Sequence, residues 1–177
     1  DVTQRLGANV SAALTVNTDF AETEVDTRQT NLTRFPLFFP EKRTFFLQGA
    51  DIFEFGTGLG EGLVPYFSRR IGLVEGEEVP ILAGLKATGR VGSTSLGALA
   101  VRTREVSGLA PATTMGVLRV QRNLFAESSV GLLATAGDPL GRTGSYEVGA
   151  DFRYQTSSFR GDKNFVVGVW GLATGRD

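Results

Sequence analysis

The ionisable side chains with chemical potential in this chain gather in two places. Arg34, Glu41, Lys42, Arg43, Arg69 and Arg70 lie among phenylalanines in the stretch 27–79, and a run of carboxylates, Asp19, Glu22, Glu24 and Asp26, precedes them. Arginine presents a planar fork suited to bidentate pairing with a carboxylate or an anionic ligand. The first group therefore fits either ion pairs that brace the segment or a ligand-binding site. Alternate spacing would bring Glu22, Glu24 and Asp26 to one face of an extended strand, where oxygen ligands suit a divalent cation. A solvated acidic loop is the plainer reading, and no metal site is assigned.

The chain has no Cys and no His, which excludes disulfides, thiol nucleophiles, Cys/His zinc sites and imidazole bases. Catalysis would rest on carboxylates such as Glu41 and Asp51, but no spacing fixes the separation that glycoside hydrolysis needs. No catalytic residue is named, and no cofactor is implied. Gly56, Gly58, Gly60 and Gly62 do not lead from a strand into a helix, so a phosphate-binding loop fails its context and a flexible loop is expected. Tyr66, Tyr146, Tyr154 and Trp170 suit stacking on sugars, and equally an interfacial or core position.

The elements that must position these groups have a period of two. In Leu6–Asp19, Leu6, Ala8, Val10, Ala12, Leu14 and Val16 share one face, with Gly7, Asn9, Ser11, Thr15 and Asn17 on the other. The rhythm returns in Ile81–Val91, Ser95–Thr103, Thr113–Arg122, Ser128–Ala136, Tyr146–Gln155 and, less strictly, Asn164–Thr174. Gly92-Ser93-Thr94 marks a hairpin. These are seven candidate strands, with 81–174 read as a β-meander. The stretch 27–79 does not alternate and holds eight of the thirteen Phe residues.

Most of these segments reach the ~9–11 residues that a strand crossing the outer membrane requires. Their apolar positions are Ala, Val, Leu and Gly, while Lys86, Arg90, Arg119, Glu147, Asp151 and Arg153 fall on the opposite faces. Apolar runs such as Phe165–Trp170 are far too short for a membrane helix. Lys plus Arg (18) nearly balances Asp plus Glu (19), giving no drive toward nucleic acid. The expected fold is all-β: an antiparallel up-and-down transmembrane β-barrel, partial at about seven strands, in which residues 27–79 form a Phe/Arg-rich plug or loop. A soluble β-sandwich is the competing architecture.

Two strings, PEKRTFF at 40–46 and FSRRIGL at 67–73, together with NTDFAETEVDTRQTNLTRF before them and VPILAGLKATGRVG after them, resemble the characteristic stretch of an uncharacterised bacterial outer-membrane β-barrel family. The resemblance runs to at least Val120. It implies a place in the outer membrane, contact with outer-membrane lipid, a glycan-like ligand, and fusion to a preceding domain similar to family-9 carbohydrate-binding modules. It implies no secure activity. The chain departs from a complete member in lacking that domain, a signal peptide and a terminal aromatic, so an internal fragment is expected.

The function expected is thus an outer-membrane barrel segment for transport or surface handling of a glycan-like ligand, with Arg34, Glu41, Lys42, Arg43, Arg69 and Arg70 binding ligand or bracing the plug. The alternatives are a carbohydrate-active hydrolase with lumenal carboxylates and a soluble all-β binding module.

Overall fold

The structure, a computed structural model, describes residues 1–18, 40–56 and 64–176. Ten strands follow in chain order: β1 (Val2–Arg5), β2 (Val10–Thr18), β3 (Leu73–Val74), β4 (Glu77–Glu78), β5 (Ile81–Val91), β6 (Thr94–Thr103), β7 (Thr114–Leu124), β8 (Ser128–Ala136), β9 (Tyr146–Phe159) and β10 (Lys163–Gly175). Eight form one antiparallel meander in the order β1-β2-β5-β6-β7-β8-β9-β10, and β3 pairs only with β4. Among the described residues β1 and β10 each have one neighbour in this sheet, so these strands do not close into a barrel. Among the described residues the only α-helix is α1 (Thr44–Leu47), followed by 3-10 turns at Ala50–Phe53 and Ser68–Arg70. Among the described residues no helix is long and apolar enough to cross a membrane.

The all-β antiparallel expectation holds, with three corrections. The main sheet has eight strands, not seven: β1 is a four-residue edge strand of mixed polarity, exposed throughout, that carries no alternation to detect. The first predicted strand starts late, at Val10, because Leu6–Asn9 turns the chain from β1 into β2. The stretch 27–79 also contains a short hairpin, β3–β4, whose Val74 packs with Val79 and Ala110 in a small apolar cluster of its own.

Register turns the two-residue rhythm into two continuous faces. On one lie Ala12, Leu14 and Val16 of β2, opposite Ala87, Leu85 and Ala83 of β5. The row continues through Leu96, Ala98 and Ala100 of β6 to Gly116, Leu118 and Val120 of β7. From there it runs to Ala136, Ala134 and Leu132 of β8 and to Tyr146, Val148 and Ala150 of β9. The opposite face carries Ser11, Ala13, Thr15, Lys86, Thr88, Leu99, Val101, Met115, Val117, Arg119, Leu133 and Asp151.

Residues 40–56 and 64–74 pack on that second, mixed face. Phe45, Phe46, Phe53, Phe55 and Ile71 are buried with Ala13, Ile81, Leu99, Val101, Met115, Val117 and Leu133. Glycines on the covered face make room for the rings. A Cβ at Gly84 would stand 3.0 Å from Phe45, one at Gly97 2.9 Å from Phe53, and one at Gly149 2.8 Å from Phe55. A Phe ring thus beds directly on strand backbone in three different strands, and any side chain there would lift it.

The inserted segment also reaches both edges of the sheet. Gln48 accepts a hydrogen bond from Thr3 of β1 at 3.2 Å, and Gly56 lies beside Trp170 of β10. Seven inter-strand spacings of a flat sheet would span about 33 Å, whereas the eight steps from Gln48 to Gly56, four of them in a 3-10 turn, extend roughly 22 Å. The sheet therefore curls around the segment, with the mixed face inward and the face whose central band is apolar outward, where Arg102, Thr114 and Arg122 stand at the strand ends.

Candidate functional site

Polar chemistry concentrates where the inserted segment meets itself and the inner wall. The first cluster is built by residues 40–43 and 68–71. Arg43 is buried between them, and its guanidinium forms a two-pronged pair with Glu41: Nε donates to Oε1 at 2.9 Å and Nη2 to Oε2 at 2.8 Å. Its remaining donors reach the backbone carbonyls of Ile71 at 2.7 Å and Ser68 at 2.9 Å. Ser68 Oγ donates to Glu41 Oε2 at 2.7 Å, and Arg69 Nη1 donates to the carbonyl of Pro40 at 2.7 Å. The Arg43 guanidinium lies 4.1 Å from the centre of the Phe46 ring.

Two chain passages separated by about 25 residues are thereby tied into one unit. Burial alone would raise the Glu41 pKa, but the hydrogen bonds and charge of Arg43, helped by Ser68, hold it below the ordinary carboxylate value. Tyr66, beside this cluster, is pushed upward, first by burial and then by the Glu41 charge.

The second cluster belongs to the wall. Arg119 of β7 is fully buried, at 0% exposure, and pairs with Asp151 of β9 through Nη1–Oδ1 at 2.5 Å and Nη2–Oδ2 at 3.0 Å. β8 lies between these strands, and the pair bridges it because the intervening residue is Gly131. A Cβ there would sit 2.5 Å from Arg119 Nη1 and 2.6 Å from Asp151 Oδ1. The segment joins this pair: Gly56 N donates to Asp151 Oδ2 at 3.3 Å, and the Arg119 guanidinium is 5.4 Å from the Phe55 ring centre.

A third contact fixes the other end. Lys86 of β5, 3% exposed, donates to the carbonyls of Phe45 and Gln48. These are carbonyls at the end of α1, where helical hydrogen bonding leaves acceptors unmatched. An ammonium with three donors meets that need and favours the negative end of the short helix.

Of the residues named from sequence, Glu41, Arg43 and Arg69 come together in the first cluster, with Ser68 added by the structure. Lys42 is half-buried next to it and Arg70 is exposed. Arg34, the acidic group Asp19, Glu22, Glu24 and Asp26, and Gly58, Gly60 and Gly62 lie outside the described residues. Asp51, the second hydrolase candidate, is exposed and paired with Arg90 at 2.5 Å, while Glu41 has both oxygens engaged by Arg43 and Ser68. Among the described residues no three His, Cys, Asp or Glu side chains gather as a metal site.

Sequence reading placed Lys86, Arg119 and Asp151 on inward faces but missed their role. Their alternation was visible. Their pairing depends on cross-strand register and on Gly131, which no single strand reports.

Residues 8–95 match a family described as a domain of unknown function, DUF5916. The match covers β2, the inserted segment, β5 and the start of β6, and it ends short of the stretch over which the resemblance was read. Neither a curated protein nor a solved structure matches the chain.

Proposed function

We propose that this chain is a segment of a bacterial outer-membrane β-barrel, with residues 40–56 and 64–79 folded against the lumenal wall as a plug. One observation carries the reading: the face of the sheet that no other described segment covers is the apolar one. Leu14, Leu85, Leu118, Leu132 and Val148 are exposed, Leu118 at 52% and Leu132 at 58%, while Lys86, Arg119 and Asp151 are buried on the other side. A water-soluble sheet buries its apolar face and wets its charged one. An apolar band running across neighbouring strands, far larger than a scattered surface leucine, calls for hydrocarbon or another apolar body against it.

In this reading the two charged clusters brace the plug, and the exposed Arg70 is the described member of the site set placed to meet a ligand. Transport or surface handling of a glycan-like ligand, and a fused carbohydrate-binding domain, rest on the family resemblance. A soluble all-β module is favoured by a different observation, that β1 and β10 each have one neighbour among the described strands, since an unpaired edge is unsatisfied within lipid.

Solution behaviour separates the two readings. The purified 177-residue chain is expected to need detergent micelles or lipid vesicles for a monodisperse, β-rich state. A monodisperse folded chain in plain buffer overturns the membrane reading and leaves the soluble module.

A further inference from the structure

A cleft of about 660 Å³ opens at the end of the sheet where β8 finishes and β9 begins, bounded by Pro65 of the inserted segment, the 137–145 loop and the end of β10. Three inner-face positions form a row across its floor, because Thr135 of β8 stands opposite Glu147 of β9 and Glu147 stands opposite Thr174 of β10. Neighbouring members of such a row are about 5 Å apart. The row places one carboxylate between two hydroxyls.

The charges around this row are unequal in their needs. Asp138 and Arg142 face each other at 3.7 Å and offset one another. Arg176 is exposed. Glu147 differs: its Oε1 is sealed from solvent and has no hydrogen-bond partner among the described residues. An ionised carboxylate only accepts hydrogen bonds, and a buried acceptor left unmet is destabilising. No described residue supplies the donor, and Glu147 lines the solvent-connected cleft.

We propose that this cleft binds a small organic cation, an alkylammonium or alkylguanidinium, whose positive charge pairs with the Glu147 carboxylate while Thr135 and Thr174 accept or donate at either side. An anion is disfavoured by the carboxylate floor. A metal ion would find one carboxylate where hard cations gather several oxygen ligands. The site is separate from the two clusters that hold the inserted segment and does not depend on whether the outer face meets lipid.

Agmatine tests it, since it carries a guanidinium and an ammonium on one short chain, with 1,5-pentanediol as the uncharged control. Calorimetric titration of the folded 177-residue chain, in buffer or micelles, is expected to give saturable one-to-one agmatine binding and none with the diol. Glu147→Gln should weaken binding about tenfold or more, the loss of a charge-assisted hydrogen bond. Asp51→Asn, at the far end of the sheet, should leave it unchanged. Absence of saturation up to about 10 mM agmatine, a range that captures even millimolar affinity, or equal binding by Glu147→Gln, overturns the proposal. If Glu147→Gln does not fold, the Thr135→Val/Thr174→Val double variant decides: severalfold weaker binding supports the site, and unaltered binding overturns it.

Discussion

Arg119 and Asp151 show how a single buried pair is made safe. Each would be costly alone on an inner wall, and the pair holds because Gly131 leaves the space through which both prongs meet. Removing one partner strands the other, so Asp151→Asn or Arg119→Met should destabilise the fold by about 3–5 kcal/mol, whereas Arg119→Met combined with Asp151→Leu should cost much less. Denaturant unfolding of the three variants measures this, and additive losses would contradict it.

Glu41 gives a pH signature with a definite sign. Its folded pKa lies below 4.5, so its pairing stabilises the fold above that value, and this stabilisation is lost as pH falls through the lowered folded pKa. The wild-type chain should lose stability below about pH 4.5, and Glu41→Gln, less stable at neutral pH, should lose less over the same acid range. Parallel stability curves for the two proteins would sink this assignment.

At the level of elements, the inserted segment is held by shape as much as by charge. Phe45, Phe53 and Phe55 bed on Gly84, Gly97 and Gly149, so a strand glycine and an insertion phenylalanine form one packing unit across distant sequence. Gly97→Val should push Phe53 and Ile52 off the wall, with a loss of about 1–3 kcal/mol from overpacking and faster proteolysis within residues 40–56. Gly116→Ala on the outer face is the control, since a Cβ there meets only the Leu99 carbonyl oxygen at 3.6 Å. Its stability should stay within about 0.5 kcal/mol of wild type. Equal sensitivity at both positions would show that the glycine beds do not anchor the segment.

For the whole molecule, the orientation of the sheet is the deciding property. If its outer face lies in hydrocarbon, Leu118→Arg near the middle of β7 should cost about 2–4 kcal/mol in vesicle folding equilibria. If that face meets water, the same substitution should be neutral and should improve solubility. Folding yield in lipid vesicles, set beside solubility in buffer, reads both outcomes in one variant.

The sequence by itself determined the strands that alternate and their two faces. β5 and β8 begin and end where the alternation does, because side-chain direction along a strand has a period of exactly two residues and leaves its mark on composition. It also determined that histidine and cysteine chemistry is absent. It located the Glu41, Arg43 and Arg69 group, whose members are rare charges in an aromatic setting. β1 was illegible because a short exposed edge strand has no face to protect.

Only the tertiary structure decided which face of the sheet is covered, and by what. Periodicity is the same whether the apolar side points inward or outward; the answer comes from where residues 40–56 dock. The Arg119–Asp151 bridge and the Glu147 row were fixed by register between strands, and the lysine cap on α1 by where the inserted segment docks on β5. Arg119 and Asp151 lie 32 residues apart, a distance over which hydrogen-bonded pairing of whole strands sets which side chains meet.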